Sequence, residues 1–297
     1  MKIGIVVHPN ISEASIVKRL HQIENITVTR LEHSEMTAEL GIWNVDLMVS
    51  IGGDGTFLTT ARIAATINRP MIGVRVPASV QSKPFLPDIS LDNLHDFLGE
   101  LANGMVDRLK IDILHEGRHF LKGRVYRNGT QLGVAMNAIN EISIGKSSLK
   151  GTVTVQVDVA LRVSPLIQQN VADQVRLWQQ VLKVRADLTM VSTATGSTGY
   201  SMSAGGPLIH PEDASVVCAH VAPIGFGQRP LVLPGKYDVR MKLLRADSAA
   251  VTFDCQNEIE LQPGDEVIIE RGNTYTVLRD PNWSFFDRAR DVLNWAG

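Results

Sequence analysis

The chain has 297 residues, which at roughly 150 residues per domain points to about two domains. Hydrophobic residues make up 44% of it, an ordinary globular composition that excludes disorder, collagen-like repeats and low complexity. Lys and Arg number 29 against 31 Asp and Glu, a net charge of −2, and no run of five like charges occurs. Neither nucleic acid nor a membrane surface is therefore expected as a partner.

The first hundred residues alternate short apolar runs with helical spacing. Ile3–Val7 reads as a strand, and Ser12–Ile23 as a helix with Ile16, Leu20 and Ile23 on one face. Ile26–Leu31 and Val45–Ile51 are further strands, the latter apolar enough to be buried on both faces. Thr56–Ile67 reads as a helix, Met71–Val76 as a fourth strand and Leu91–Leu101 as a third helix. Such alternation predicts a parallel, doubly wound α/β sheet of Rossmann-like type. After Gly104 the texture turns antiparallel. Leu109–Leu114, His119–Arg127, Leu132–Ile144 and Gly151–Val163 read as strands divided by turns such as Asn128-Gly129. Gln168–Leu182 interrupts them with helical spacing. Strand patterns then run to about Leu278, and Asn282–Ala296 is an amphipathic tail that should dock on something. The division expected is an α/β domain over 1–105, a β-rich, sandwich-like domain over 106–270, and a tail over 271–297 returning to the first domain.

Cys218 and Cys255 fit no metal spacing and read as small buried hydrophobes of a reducing compartment. The opening residues are too short an apolar stretch for a signal peptide, and no run approaches the roughly 20 apolar residues of a membrane span. Cytoplasmic residence is the expectation.

The most informative segment is Gly52-Gly53-Asp54-Gly55-Thr56, after a buried strand and at the opening of a helix. An α/β sheet places ligands there, and glycines let backbone N–H groups approach phosphate. Asp54 among them binds a metal, accepts a proton, or is merely a helix cap. The segment lacks the third glycine of a dinucleotide fingerprint, and Gly145-Lys146-Ser147 lacks the first glycine of a Walker loop. A second segment, Thr193–Pro207, packs six Ser/Thr hydroxyls and four glycines into fifteen residues. It forms a donor-rich wall for a polar ligand, with Tyr200 as a stacking face, and is unusually long for a plain loop. His115-Glu116-Gly117-Arg118-His119 matches a zinc-protease pattern literally, but its central glycine between β-like runs reads as a hairpin turn. No metal ligands are assigned.

Taken in order, Gly52-Gly53-Asp54-Gly55-Thr56, Asn140-Glu141, Arg185-Ala186-Asp187 and the run from Thr195 to Pro207 resemble the NAD kinase family. The resemblance spans about residues 45–265 and implies a kinase that moves the γ-phosphoryl group of ATP, or a phosphoryl group of polyphosphate, to the adenosine ribose 2′-hydroxyl of NAD. It implies Asp54 as the catalytic carboxylate, with Gly52, Gly53, Gly55, Thr56 and Phe85 about the substrate. Asn140 and Glu141 would hold the ribose and adenine end. Asp187 would face the nicotinamide carboxamide. Thr195, Thr198, Gly199, Tyr200 and Ser203 would line the base pockets. Mg²⁺ or another divalent cation would arrive on ATP, and the assembly would be a homodimer or homotetramer. Of the family pattern after the fourth strand, Gly-x-Asn-x-Gly-x-x-Gly-Phe, only Gly73 and Phe85 match here, with Arg75 where the Asn stands. Ala194, Gly199 and Leu188 also depart from the usual residues. A nucleotide-binding regulator without turnover and a lipid kinase sharing the glycine-rich loop are the alternatives.

Overall fold

Apolar runs flanking amphipathic helices resolve into parallel pairing in the computed structural model, which describes residues 1–11, 13–23, 26–30, 44–76, 83–102, 114–161, 176–225 and 227–295. The chain divides into two units: Met1–Gly117 together with Thr274–Gly297, and Arg118–Asn273. The expected boundary at residue 105 lies outside the described residues.

In the first unit, β1 (Lys2–Val7) pairs in parallel with β2 (Thr27–Arg30) on one side and β3 (Leu47–Ile51) on the other. β3 continues to β4 (Met71–Arg75), which also pairs with the two-residue β5 (Ile89–Ser90). All five β3 residues are buried, as a strand covered on both faces requires. The connecting helices are α1 (Glu13–Leu20), α2 (Asp54–Ile67) and α3 (Leu94–Ala102). The chain order reverses between β1 and β3, so the ends of those strands form the switch point where open α/β sheets take ligands. Ile3, Ile5, Val49, Ile72, Val74, Ile89 and Leu98 make the core.

The second unit is a sandwich. One sheet runs β10 (Gln179–Ala186), β9 (Val153–Leu161), β14 (Tyr237–Arg245), β17 (Glu266–Arg279), all antiparallel. The other runs β13 (Leu231–Leu233), β12 (Val216–Val221), β11 (Leu188–Ser192), β8 (Glu141–Lys146), β15 (Ala249–Phe253), β16 (Asn257–Leu261). Val155, Val157, Val239 and Met241 from the first sheet share one core with Ile142, Ile144, Val191 and Val251 from the second. β6 (Leu114–Arg127) pairs with β7 (Thr130–Ala138) and β17.

Several expectations need correction. The His115–His119 stretch is not a hairpin turn but lies within β6. Four strand residues separate the two imidazoles by about 13 Å, too far to share a zinc ion. Gly117 is there because a Cβ would meet the Thr274 methyl at 3.0 Å, not because the chain turns. The single strand expected over 132–144 breaks at Ile139-Asn140, where the chain leaves the sheet of β7 for that of β8. Gln179–Leu182, read as helical, begins β10, and residues 168–175 of that stretch lie outside the described residues. Residues 109–113 of the expected strand and residues 77–82 of the altered loop do so as well. Thr193–Pro207 is no plain loop but holds a 3-10 turn at Thr195–Thr198 and the single-turn α4 (Tyr200–Ser203). Cys218 is buried as expected, whereas Cys255 is exposed.

The residues from Thr274 onward belong to the first unit. Their helix α5 (Phe285–Leu293) is capped by the Ser284 hydroxyl, which accepts the Asp287 N–H. Phe285 sets its ring edge against Phe85, with centroids 6.1 Å apart. Arg279, at the end of β17, is wholly buried. Its guanidinium donates to the Leu86 carbonyl at 2.6 Å, to Asp88 Oδ1 at 2.8 Å and to Glu116 Oε1 at 3.2 Å. The Phe57 and Trp283 rings lie beside it, at 5.7 and 4.4 Å. Burial opposes its charge, yet Asp88 and Glu116 more than offset that and hold its pKa above the usual arginine value. Arg279→Met strips two buried carboxylates of their cation and is expected to cost about 3–5 kcal/mol. Urea unfolding checks this, with Asp88→Asn in the same chain recovering part of the loss.

Candidate functional site

β3 delivers the chain to Gly52, whose N–H donates to the Val74 carbonyl at 3.0 Å. A Cβ on Gly52 would lie 2.5 Å from Thr56 Oγ1 and 3.1 Å from His8 Cβ, so close packing demands glycine. Gly53 and Gly55 are different, since a Cβ on either meets nothing within 4 Å. Helix α2 begins at Asp54, two residues earlier than expected, with Gly53 as an N-cap that has no side chain to close the first turn. Asp54 sits half-buried there. Its Oδ1 accepts the Leu86 N–H at 2.7 Å and its Oδ2 the Phe85 N–H at 3.0 Å. A carboxylate offers about four lone-pair sites, so two remain for a further proton donor. Thr56 is buried against Gly52, and the Phe85 ring is buried on Phe285, so Phe85 serves Asp54 through its backbone.

Asn140 and Glu141 occupy the step between sheets, where backbone amides leave one ladder before joining the next. Asp254 fills that gap. Its carboxylate accepts the N–H groups of Ile139, Asn140 and Glu141 at 2.9, 2.7 and 3.2 Å. Asp254 and Cys255 both adopt positive φ, 52° and 55°, in the turn that aims this carboxylate. Asn140 Oδ1 and Glu141 Oε2 are buried and lack a hydrogen-bond partner among the described residues. Glu141 Oε1 accepts the Cys255 thiol at 3.5 Å.

Thr193–Gly206 folds against that step. The Thr193 N–H and hydroxyl donate to the Asn140 and Ile139 carbonyls at 2.8 and 2.7 Å. A Cβ on Gly196 would lie 2.2 Å from the Asn140 oxygen, and one on Gly199 3.2 Å from Asn140 Nδ2. Thr195 is buried and faces the Arg118 guanidinium at 3.4 Å. The Thr198 hydroxyl turns back to the Thr195 carbonyl, while Tyr200 and Ser203 are exposed. The structure thus joins Asn140, Glu141, Thr195, Gly199 and their neighbours through direct contacts. It does not bring Asp187 to them. Asp187 precedes β11 at the end opposite Ser192, about 16 Å along the strand, and pairs with Lys146 at 2.9 Å.

No sequence signal marked Asp254, and Lys146 and Arg118 appeared only inside motif matches that were set aside. Among the described residues no three His, Cys, Asp or Glu gather as a metal site, and no helix is long and apolar enough to cross a membrane. Burial, aided by the nearby Asp254 charge, pushes the Glu141 carboxyl up to about 7. A carboxyl raised in the fold contributes stability that is full below its unfolded value and lost as pH rises through the folded one. Between pH 5 and 8 the native chain should therefore lose on the order of 2 kcal/mol more stability than Glu141→Gln. Urea titrations at both pH values check this, and parallel losses would refute it.

Comparison with known proteins agrees with this geometry. The family profile described as the ATP-NAD kinase C-terminal domain matches residues 138–279. The NAD kinase of Thiobacillus denitrificans is 32% identical over 252 residues, covering 84% of this chain and 77% of that protein. The NAD kinase of Aquifex aeolicus is 32% identical over 255 residues, covering 84% and 81%. Among solved structures, a yeast NADH kinase complexed with NADH superposes with a TM-score of 0.78 at 16% identity, covering 100% of this chain and 88% of that one. An Archaeoglobus fulgidus NAD kinase in complex with ATP gives 0.68 at 20% identity, covering 99% and 98%. The two structures share the fold, and the sequence relatives decide the family: this chain belongs to the NAD kinases.

Proposed function

We propose that this chain phosphorylates NAD at the adenosine ribose 2′-hydroxyl, with ATP as donor, giving NADP and ADP. The observation that carries the reading, beside family membership, is the pair of buried acceptors Asn140 Oδ1 and Glu141 Oε2. Two partnerless buried oxygens on consecutive residues suit the hydroxyls of a ribose, because a bound diol supplies the donors that burial otherwise denies them. Tyr200 offers an aromatic face, and the hydroxyl wall of Thr195, Thr198 and Ser203 suits a base and amide rather than a lipid chain. That polar lining disfavours a lipid kinase.

Asp54 takes the proton from the 2′-hydroxyl as its oxygen bonds to the γ-phosphorus. The bond from that phosphorus to the β-γ bridging oxygen breaks, and its electron pair leaves with ADP. Phosphoryl transfer asks a protein mainly for positioning and charge neutralisation. The amides of Phe85 and Leu86 fix the Asp54 carboxylate while leaving lone pairs for the proton. Gly53 and Gly55 keep their side of the turn open to phosphate. The divalent cation belongs to the substrate, carried on the triphosphate. Asp187 serves the nicotinamide end.

Asp54→Asn should bind NAD normally and make NADP at least about a hundredfold more slowly. Calorimetry and a coupled NADP-specific dehydrogenase measure the two. Near-normal turnover would remove Asp54 as the base. NAD bound by the native chain without any NADP formed would favour a regulator.

A further inference from the structure

Arg75 is the residue that stands where the family pattern has an uncharged Asn. It ends β4, one position after Val74, whose carbonyl holds the Gly52 N–H. Across the other edge it pairs with Ser90 of β5. This places it at the strand end from which the Gly52–Gly55 turn departs. Its side chain is exposed and has no carboxylate partner among the described residues.

Arg288 reaches the same region from α5. Its guanidinium donates to the carbonyls of Pro84 and Phe85, and the N–H of that same Phe85 is held by Asp54. Burial lowers the Arg288 pKa, and the positive charge of Arg75 lowers it further, with Asp54 opposing both. Asp88 and Arg279, paired with each other, also act on it with opposite signs. Arg75 at the end of β4 and Arg288 on the Pro84 and Phe85 carbonyls therefore bring two cations to the neighbourhood of a turn whose outer glycines have free space. Like charges held within Coulombic range raise the energy of the free protein, and an anion placed between them reverses that cost. Guanidinium forks match phosphate oxygens in charge and geometry.

We propose that Arg75, together with Arg288, binds the polyphosphate chain of the phosphoryl donor and makes this chain selective for highly charged donors. The proposal rests on the kinase reading and adds a residue to it. An Asn at this position could form a hydrogen bond but would bring no charge. The arginine therefore makes donor binding stronger and more sensitive to salt.

The test is calorimetry on the full chain with ATP, inorganic tripolyphosphate and, separately, NAD, comparing the native protein with Arg75→Asn and Arg75→Lys. Arg75→Asn should weaken ATP at least about tenfold, leave NAD within about twofold, and flatten the salt dependence. Arg75→Lys should recover part of the loss. An equal loss for tripolyphosphate extends the site to inorganic polyphosphate, and a loss for ATP alone assigns it to nucleotide donors. Unchanged ATP affinity, or an equal weakening of NAD, would overturn the proposal. A native chain that binds ATP through Arg75 yet makes no NADP would instead overturn the kinase reading and leave the anion site standing.

Discussion

Arg279 is a fully buried cation, and the first unit is arranged around the consequences. Taking a guanidinium out of solvent is affordable only with carboxylates and carbonyls in contact, and Asp88, Glu116 and the Leu86 oxygen supply them. Those partners come from two separate stretches of sequence, so satisfying one charge ties the 84–88 segment and the start of β6 to the end of β17. Asp88 uses its second oxygen on the Asp280 N–H, which ties the segment to the tail as well. The amides of Phe85 and Leu86 are then held in one place, and Asp54 is oriented by them. The Asp54 carboxylate is thus positioned by a chain of contacts that ends at the C-terminal helix.

The second unit solves a different problem with the same chemistry. A strand that changes sheets must leave backbone N–H groups without ladder partners, and buried amides cannot remain so. Asp254 accepts three of them at once, while Thr193 returns hydrogen bonds to the carbonyls of Ile139 and Asn140. Once main-chain demands at the step are met from outside, the side chains of Asn140 and Glu141 need not meet them. Asn140 Oδ1 and Glu141 Oε2 are left without a partner among the described residues. Burial, aided by the nearby Asp254 charge, also raises the Glu141 carboxyl to about 7, so its protonation changes within the physiological range.

What could be read from the sequence follows from how local each signal is. β1, β3, β4, α2 and the tail helix were legible because burial on one or both faces leaves a periodic trace. The β-rich second unit was legible as a class, but its sheet-switching step was not. Residues 132–144 look like one apolar-alternating run, and the break is made by Asp254, more than a hundred positions away. The His115–His119 stretch misled because Gly117 was read through turn propensity, when the glycine answers to a methyl group of Thr274. Gln179–Leu182 misled through a helical period in a strand that is exposed along much of its length, where burial imposes little pattern. Among the site residues, the glycine-rich turn and the hydroxyl run announced themselves by composition. Asp254, Arg279 and Arg288 did not, because a long-range hydrogen bond leaves no mark on neighbouring residues.

The glycines separate structural need from functional need. At Gly73 a Cβ would lie 2.7 Å from the Phe57 ring, at Gly196 2.2 Å from the Asn140 carbonyl, and at Gly206 2.4 Å from Ser201 Oγ. Each of these is required by the protein's own packing and would be glycine whatever the chain bound. Gly53 and Gly55 are required by nothing in the described residues, since the space beside them is empty. A glycine at the start of a helix also carries an entropic cost relative to alanine. Keeping two of them on either side of Asp54 makes physical sense where something other than the protein approaches the backbone closely. Phosphate oxygens would do so under the proposed kinase reading, with Arg75 and Arg288 as the proposed cations.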